Sequence, residues 1–389
     1  MLTRRRFLTG GAAVAAILSG AGGSSAERTR FQEKGLDDAE EDAAISGSGS
    51  LRAHAAAHGL LTGAAIEARM LSADPALARL VVEQYSILVA ENSMKWQALR
   101  PAPDRFDFGP GDALVAFAAS HNIKMRGHNL VWHNALPAWF ASTVTRDNAR
   151  QFLVEHIATV AGHFRGKLQS WDVVNEAVLP EDGRQDGLRK SPWMELLGPD
   201  YIAIAYRAAR EADPAVRLTY NDYGVEYDND EDARRREAVL NLLRKMRGEG
   251  VPLDAVGIQS HIHAGSPHRI GRGLREFMRS VREMGLAIYI TELDVNEDDL
   301  PYNDPAERDR TIAQTYRDYL GVALSEPAVA TVLTWGITDR HTWLNSGPTH
   351  HRKQPDRPQR SLPFDAQLRP KEAFYAMRDS FDQRGQPES

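Results

Sequence analysis

The sequence predicts a single catalytic domain of the α/β class, folded as a (β/α)8 TIM barrel. Two observations carry this prediction: short apolar or β-rich runs alternate with helical patterns along the 389 residues, and the runs number eight. Repeated strand–helix units build a parallel sheet, and eight of them over about 330 residues favour a closed barrel over an open sheet. A dinucleotide-binding open sheet is disfavoured further, because no glycine-rich phosphate loop follows the first run.

The strand-like runs occupy residues 60–66, 86–90, 123–126, 170–174, 216–220, 255–258, 286–291 and 330–335. Helical spacing is clearest in two of the intervals, where apolar residues recur at i, i+3, i+4 and i+7. These positions are Ile202, Ala205, Tyr206 and Ala209, and then Leu274, Phe277, Met278 and Val281. Gly285 follows the second set, as expected at the end of a helix.

The first 26 residues predict export. Arg4 and Arg5 precede an apolar run over residues 10–18, and the small residues at 24–26 match a signal-peptidase site. This is the pattern of a twin-arginine signal, and the run is well short of the roughly 20 apolar residues of a transmembrane anchor. We therefore expect a periplasmic or secreted protein without a stable membrane anchor.

Residues 27–50 are predicted to be a disordered acidic linker, since a composition rich in acids, glycine and serine cannot bury a core. The catalytic domain is predicted over residues 51–381, with a tail at 382–389. A net charge of −6 disfavours nucleic acid as a partner, and the lack of cysteine excludes disulfides and thiolate metal sites. A monomer is expected.

In such a barrel the chemistry lies at the carboxyl ends of the strands, so the residues that end each run form the candidate site. Polar and aromatic residues gather there. They are Glu91, Asn92 and Lys95 after the second run, His128 and Trp132 after the third, Asn175 and Glu176 after the fourth, Tyr223 after the fifth, Gln259 and His261 after the sixth, Glu292 and Asp294 after the seventh, and Trp335 and Trp343 at and beyond the eighth.

Two of these residues are glutamates on the fourth and seventh strands. Glu176 and Glu292 would lie on roughly opposite sides of the rim, the arrangement that cleaves a glycosidic bond with one carboxyl group on each side. A barrel that only binds sugar has no use for such a pair and would be expected to have lost one member. The pattern therefore favours hydrolysis over binding alone.

A metal-dependent barrel hydrolase is the other enzymatic alternative. His261 and His263 alternate on one strand, and His128 and His133 lie near the rim. Against it, the His-x-His pair falls on the sixth run instead of the first, and no cluster with a bridging carboxylate accompanies it. Neither a metal nor another cofactor is expected.

Four segments in barrel order carry a family resemblance: residues 91–96 (ENSMKW), 126–133 (RGHNLVWH), 171–176 (WDVVNE) and 290–294 (ITELD). Together they resemble the family 10 glycoside hydrolases, the endo-1,4-β-xylanases, and the resemblance extends from about residue 60 to residue 377. It implies a retaining enzyme that hydrolyses internal β-1,4 bonds of xylan and xylooligosaccharides. The reaction would be a double displacement through a covalent glycosyl-enzyme intermediate.

The same resemblance implies roles for matching residues. Glu176 corresponds to the general acid/base and Glu292 to the nucleophile, with carboxyl groups about 5 to 5.5 Å apart in a retaining enzyme. His261 corresponds to a histidine that donates to the nucleophile, and Asp294 would orient that imidazole; a helix N-cap is the alternative for Asp294. Asn175 would hold the sugar 2-hydroxyl in the transition state, with a turn-forming role as its alternative.

The remaining matches concern the sugar. Residues that would bind it on the non-reducing side are Glu91, Asn92, Lys95, His128, Trp132 and Gln259, which offer hydrogen bonds or a stacking face. Trp335 and Trp343 would close over the sugar next to the cleaved bond. Tyr223 resembles an aromatic platform on the leaving-group side, although the family usually continues with Asn where this chain has Gly224. A rim tyrosine without a ligand role is its alternative.

Other aromatic and basic residues have simpler expectations. The tryptophans expected to be structural are Trp96, Trp139, Trp171 and Trp193. The segment 346–360 is predicted to be a solvated basic surface loop, and it carries His350, His351, Arg352, Lys353, Arg357 and Arg360.

Overall fold

The computed structural model describes residues 44–346, 353–354 and 356–385. The predicted export signal and most of the predicted linker lie outside these residues, as do part of the basic loop and the last four residues of the tail. Within the described ranges, no helix combines the length and the apolar character that crossing a bilayer requires.

The centre of the fold is a closed barrel of parallel strands. The strands are β1 (Leu61–Ile66), β2 (Ile87–Ala90), β3 (Lys124–Val131), β4 (Ser170–Asn175), β5 (Arg217–Asp222), β6 (Ala255–Ile258), β7 (His261–His263), β8 (Ala287–Asn296) and β9 (Val329–Thr334). Strands β1 to β6 follow one another round the barrel, and the pairings of β6 with β8, β8 with β9 and β9 with β1 close it. The predicted TIM barrel is confirmed.

The short β7 is an extension above the barrel. It follows β6 after two residues and pairs in parallel with the outer end of β8, where His261 lies opposite Asp294. The eight predicted runs therefore correspond to β1–β6, β8 and β9, and β7 raises His261 beside the polar end of β8.

Helices fill the intervals between the strands. In the described residues they are α1 (Leu51–Ala57), α2 (Ala68–Ala73), α3 (Pro75–Gln84), α4 (Trp96–Leu99), α5 (Gly109–Ser120), α6 (Phe140–Thr143), α7 (Ala149–His163), α8 (Pro192–Leu197), α9 (Tyr201–Ala212), α10 (Asp230–Gly248), α11 (Arg272–Glu283), α12 (Pro305–Ala323) and α13 (Glu372–Asp382). Short 3-10 turns lie at Gly47–Gly49, Pro180–Asp182, Gly198–Asp200 and Trp343–Asn345.

The helices bury the faces that the sequence predicts. All four predicted apolar positions are buried in α9, and all four are buried in α11. Burying a large aliphatic or aromatic side chain contributes about 1.5–3 kcal/mol, so these faces hold the helices on the sheet. The predicted structural tryptophans Trp96, Trp171 and Trp193 are fully buried, while Trp139 is half-buried and donates its indole N–H to the Arg100 carbonyl at 3.0 Å.

The folded body begins earlier than predicted. Ile45 is 5% exposed in the core, and the buried Gln84 ties it to the domain. The Gln84 Nε2 donates to the Ile45 carbonyl at 2.8 Å, and its Oε1 accepts from the Leu51 N–H at 3.0 Å. Ser50 caps α1 by accepting from the Ala53 N–H. Residues 45–50 therefore belong to the domain, since one apolar side chain and one amide supply contacts that composition does not reveal.

The described part of the basic loop is solvated at Lys353, as expected, but not at its end, which corrects the expectation for residues 357–360. Arg357 is buried, and its guanidinium donates to the main-chain carbonyls of Glu297, Asp298, Leu300 and Tyr302. Arg360 pairs with Asp309, with Nε 2.8 Å from Oδ1. The Gln359 N–H donates to Asn345 Oδ1 at 2.8 Å. These contacts fasten the loop to the turn that carries Trp343.

Candidate active site

The residues predicted for the site meet at the carboxyl-terminal rim. Glu176 directly follows β4, and Glu292 lies in the outer half of β8. Between them stand two amides: Asn221 Nδ2 donates to Asn175 Oδ1 at 2.9 Å and to Glu292 Oε1 at 2.8 Å. Asn175 Nδ2 in turn lies 3.2 Å from Glu176 Oε1. The two carboxyl groups are therefore connected through a pair of buried amides.

Glu176 is held by its main chain as well as its side chain. Its φ of 57° is left-handed, a conformation that costs energy for a residue other than glycine. Its N–H donates to the Asn221 carbonyl at 2.8 Å, and its own carbonyl accepts from Arg189 Nε at 2.8 Å. Gln259 Nε2 donates to Glu176 Oε1 at 3.0 Å. These bonds fix the direction in which the carboxyl group enters the cleft.

Charged and titratable groups border the other oxygen of Glu176. Oε2 lies 3.8 Å from His133 Nδ1 and 4.0 Å from a terminal nitrogen of Arg189, both beyond hydrogen-bond distance. Burial and the Arg189 charge lower the pKa of His133 to about 4, so this imidazole is neutral near pH 6. The hydrogen-bond donors that reach the Glu176 carboxyl group are thus the neutral amides of Asn175 and Gln259.

Glu292 has a different environment. It is 5% exposed, and Oε1 and Oε2 accept from Asn221 Nδ2 at 2.8 Å and His261 Nε2 at 3.2 Å. Burial alone would raise the pKa of this carboxyl. The hydrogen bond from His261, the His128 ring and the Asn221 amide outweigh burial and hold that pKa at about 2. Glu292 is therefore ionised at neutral and mildly acidic pH.

His261 bridges two carboxylates. Its Nδ1 lies 2.8 Å from Asp294 Oδ1, and its Nε2 faces Glu292. Burial lowers the pKa of His261, but the charges and hydrogen bonds of Asp294 and Glu292 raise it well above its ordinary value of 6.5. The ring therefore carries a proton on each nitrogen. Asp294 lies within β8 and the cap of α12 is Asp304, so the N-cap alternative for Asp294 is wrong.

Asn175 and Gln259 are both turned toward Glu176. Asn175 is the last residue of β4 and is 3% exposed, so the turn-forming alternative is wrong as well. Its Oδ1 is occupied by Asn221, which leaves its NH2 group facing Glu176 and the cleft. Gln259, expected on the non-reducing side, contacts the Glu176 carboxyl group directly. Both amides therefore lie where they reach the acid/base candidate.

Lys95 lies beyond the end of β2, beside two tryptophan rings of the site. Its Nζ donates to Asn92 Oδ1 at 3.1 Å and lies 5.1 Å from the Trp132 ring and 5.8 Å from the Trp335 ring. Burial lowers the pKa of Lys95 against the opposing effect of nearby carboxylates, and burial raises the pKa of Glu91. This side of the cleft thus offers hydrogen-bonding groups beside two ring faces, which suits a polyol with apolar ring surfaces.

His128 lies beside the nucleophile candidate. It is buried in β3, with Nδ1 2.9 Å from Asp172 Oδ2 and 4.0 Å from Glu292 Oε1. Arg126 pairs with the other oxygen of Asp172. The imidazole of His128 is therefore oriented by a buried carboxylate, and its ring packs 5.2 Å from that of Trp335.

Two tryptophans border the same region. Trp343 donates its indole N–H to Asp294 Oδ2 at 2.6 Å, and its ring lies 5.3 Å from that of His261. Trp335 is 8% exposed and meets the His261 ring edge-on at 6.5 Å. Both rings thus lie beside His261, the group that holds Glu292, and their contact with the sugar next to the cleaved bond stays a prediction.

Tyr223 is clamped by two arginines. Arg189 donates to the Tyr223 hydroxyl at 2.9 Å, and the Arg235 guanidinium lies 4.5 Å from the ring centroid. Gly224 leaves the room for this packing, because a Cβ there would lie 3.1 Å from the Arg235 Cδ. Gly224 therefore lets the Arg235 side chain lie against the Tyr223 ring.

Three residues of the site received no role from the sequence: Asn221, Arg189 and Arg235. Asn221 had a usable signal, because Asn221-Asp222 repeats at the end of β5 the amide-acid order of Asn175-Glu176 at the end of β4. Arg189 lies in the loop after β4 and Arg235 on α10, outside the strand ends. No periodicity marks either of them.

The histidines considered as metal ligands do not converge on a common point. His261 directs both ring nitrogens at carboxylates, and His263 is exposed. Across residues 44–346 and the described residues that follow, no three His, Asp or Glu side chains are grouped as metal ligands would be.

The barrel and its two rim glutamates define a glycoside hydrolase of the (β/α)8 type. The sequence profile of Glycosyl hydrolase family 10 matches residues 50–380, and the chain belongs to this family. The resemblance carried by the four sequence motifs is confirmed.

Individual relatives agree with this assignment. Beta-1,4-xylanase of Dictyoglomus thermophilum is 36% identical over 303 residues, which cover 76% of this chain and 82% of that protein. Endo-1,4-beta-xylanase A of Thermoanaerobacterium saccharolyticum is 36% identical over 332 residues, covering 82% of this chain and 26% of that longer protein. The crystal structure of xylanase 10B from Thermotoga petrophila RKU-1 in complex with xylobiose superposes with a TM-score of 0.77 at 32% identity, covering 87% of this chain and 98% of that one.

Proposed function

We propose that the protein is a retaining endo-1,4-β-xylanase that hydrolyses internal bonds of xylan and xylooligosaccharides. The observation that carries this proposal is the unequal environment of the two rim carboxyl groups. The Glu292 carboxyl group accepts from an imidazolium and an amide, whereas the Glu176 carboxyl group accepts from neutral amides. Such inequality suits a pair in which one member attacks as an anion and the other transfers a proton.

In the first step Glu292 attacks the anomeric carbon while the bond from that carbon to the leaving oxygen breaks. Glu176 gives its proton to the leaving oxygen, and an ester joins Glu292 to the sugar. The NH2 group of Asn175 donates to the sugar 2-hydroxyl, a contact that strengthens as positive charge develops at the anomeric carbon.

In the second step the Glu176 carboxylate takes a proton from water, and the water oxygen attacks the anomeric carbon. The ester bond to Glu292 breaks, so the product regains the β configuration and Glu176 regains its proton. His261 and Asn221 receive the returning carboxylate in the geometry seen in the structure. Arg189, 4.0 Å from Glu176 Oε2, offsets the negative charge that Glu176 carries between the steps.

The xylanase names of the relatives support xylan as the substrate, and so do the two tryptophans. Xylose lacks the C6 hydroxymethyl group of glucose. Trp335 and Trp343, which belong to one apolar cluster, would fill that space. A clash with a packed ring excludes a substrate more strongly than a missing contact does.

The proposal is tested by incubating the purified protein with xylan, cellulose and mannan and measuring released reducing ends together with viscosity. Endo-cleavage of xylan lowers viscosity early, at few bonds broken, and cellulose and mannan should stay nearly intact. The mechanism is tested by Glu292→Ala with added azide, which should give the inverted glycosyl azide because the small anion attacks from the side that the carboxylate occupied. A rescued product of retained configuration would remove Glu292 from the nucleophile role.

We further propose export by the twin-arginine route to the periplasm or medium, and a monomeric enzyme. Replacing Arg4 and Arg5 together by Lys should keep the protein in the cytoplasm of a host with an intact twin-arginine pathway. Unchanged export of that variant would contradict the route. The monomeric state is tested by light scattering on the purified protein, which should give the mass of one chain.

A further inference from the structure

We propose that Asn221 is a positioning residue that uses one NH2 group to set both the nucleophile and the amide that binds the sugar 2-hydroxyl. This inference rests on the proposed retaining mechanism. Asn221 lies at the end of β5 and is fully buried. It therefore acts through Asn175 and Glu292 and does not reach the substrate itself.

The orientation of the Asn221 amide is dictated by its partners. Glu292 is ionised and can only accept hydrogen bonds, so the NH2 group must face its Oε1, 2.8 Å away. The carbonyl oxygen then faces the opposite direction, where Thr291 Oγ1 donates to it at 2.7 Å. A reversed amide would place its oxygen against the carboxylate and its NH2 group at the Thr291 hydroxyl.

The Asn221 orientation determines that of Asn175. Because the second hydrogen of the NH2 group points at Asn175 Oδ1, 2.9 Å away, the Asn175 oxygen is directed inward. The Asn175 NH2 group is left facing the cleft, with Glu176 Oε1 at 3.2 Å. Without Asn221, the Asn175 oxygen would keep only the longer contact from Gln259 Nε2, at 3.4 Å. The Asn175 amide could then reverse and present an acceptor where a donor is needed.

The neighbouring strand is built to admit this amide. A Cβ at Gly257 on β6 would lie 2.1 Å from the Asn221 Oδ1 and 2.9 Å from the Thr291 Cγ2, so only glycine leaves room for the pair. The Thr291 hydroxyl also lies 3.1 Å from the Ile258 carbonyl. Asn221, Thr291 and Gly257 thus form one packed unit beneath the two carboxyl groups.

The test compares an aryl β-xylobioside with the same glycoside lacking the 2-hydroxyl on the sugar that is attacked. For each protein we form the ratio of kcat/KM for the two substrates, and the intrinsic reactivity difference between substrates cancels when ratios are compared. In Asn221→Ala the penalty for losing the 2-hydroxyl should shrink by about tenfold relative to the wild type, since the donor of Asn175 is no longer directed at it. An undiminished penalty would overturn the proposal.

A second variant separates positioning from a loss of folding. Asn221→Asp keeps the shape but places a carboxyl group against Glu292, and two adjacent carboxyl groups cannot both ionise easily. The acid limb of kcat/KM should therefore move up by at least about one pH unit. A uniform loss at all pH values, with an unmoved limb, would mean that Asn221 only supports the structure.

Thr291→Val provides the matched control. It removes the hydroxyl that donates to Asn221 Oδ1 at nearly constant volume and leaves Asn221 itself in place. For Thr291→Val, the ratio of kcat/KM for the xylobioside with the 2-hydroxyl to that for the xylobioside without it should fall between the ratios of the wild type and Asn221→Ala. The acid-limb comparison uses whichever aryl glycoside the wild type cleaves. Activity on a cellobioside but not a xylobioside would therefore refute the substrate proposal while still testing Asn221.

Discussion

His261 is the residue whose removal should change the pKa of Glu292 most. Lowering the pKa of Glu292 from its ordinary 4.5 to about 2 corresponds to about 3 kcal/mol in favour of the ionised form. His261 supplies a hydrogen bond to this carboxylate and the positive charge behind it. A hydrogen bond to a charged group contributes about 1.5–3 kcal/mol. In His261→Ala the pKa of Glu292 should therefore rise to about 3 to 4.

The assay is kcat/KM for an aryl β-xylobioside between pH 3 and 7, because this quantity reports the titration of groups in the free enzyme. The wild type should show no acid limb from Glu292 above pH 3, whereas His261→Ala should lose activity as the pH falls toward 3. Thermal unfolding at each pH separates titration from denaturation.

Asp294→Asn is the control for charge. An asparagine at this position keeps an acceptor for the Trp343 indole and gains a donor for His261 Nδ1, so His261 keeps its Nε2–H toward Glu292 as a neutral ring. Its acid limb should lie between those of the wild type and His261→Ala. Equal limbs in all three proteins, with activity lost evenly across the range, would refute the assignment of His261 as the group that holds Glu292 ionised.

Three further predictions concern the same cleft. Glu176→Ala should slow hydrolysis of xylooligosaccharides severely but spare the first step for an activated aryl glycoside. Pre-steady-state kinetics with excess aryl glycoside should therefore show a burst of the released aryl alcohol. Equal losses of the first-step rate for both substrates would contradict the acid role of Glu176. Trp343→Ala should raise the ratio of kcat/KM for aryl cellobioside to kcat/KM for aryl xylobioside. Trp343→Phe is the control that keeps a ring. An unchanged ratio in Trp343→Ala would show that the Trp343 ring does not exclude the hydroxymethyl group of glucose. Because the folded pKa of Glu292 lies below its ordinary 4.5, its ionisation stabilises the fold above pH 4.5, and this contribution is lost as the pH falls toward 2. Between pH 4.5 and 3 the unfolding free energy of the wild type should therefore fall more steeply than that of Glu292→Gln, by up to about 1.4 kcal/mol per pH unit, and parallel urea-melting curves would contradict this.

Much of the barrel could be predicted because strands buried on both faces are continuous apolar runs. The differences lie at the outer ends. The run predicted at 123–126 continues to Val131 in β3, and the run at 286–291 continues to Asn296 in β8. The added residues include His128, Glu292 and Asp294, whose polar side chains interrupt the apolar runs. A prediction from hydrophobicity therefore ends each of these two strands too early, at the point where the residues of the site begin.

The site could be predicted as a set of strand ends, but its internal contacts could not. The order of the strands brings Glu176, His261 and Glu292 to one rim independently of their side-chain conformations. Which donor reaches which oxygen depends on side-chain direction, and Arg189 reaches Glu176 and Tyr223 from a loop without any repeating pattern. Arg357 shows the opposite error, since charge predicts exposure while four main-chain carbonyls hold this guanidinium inside.

The division of labour proposed for the two glutamates follows from their neighbours and not from the residue type. Glu292 receives an imidazolium whose second nitrogen is held by Asp294, so a proton added to Glu292 would compete with a charged donor already in place. Glu176 receives amides, which donate equally well to a carboxylate or to the carbonyl oxygen of a protonated carboxyl group. An acid/base must be accommodated in both states during one turnover, whereas a nucleophile must begin each turnover as an anion. In the proposed mechanism the two carboxyl groups perform different chemistry because only that of Glu292 lies within hydrogen-bond distance of a cationic side chain.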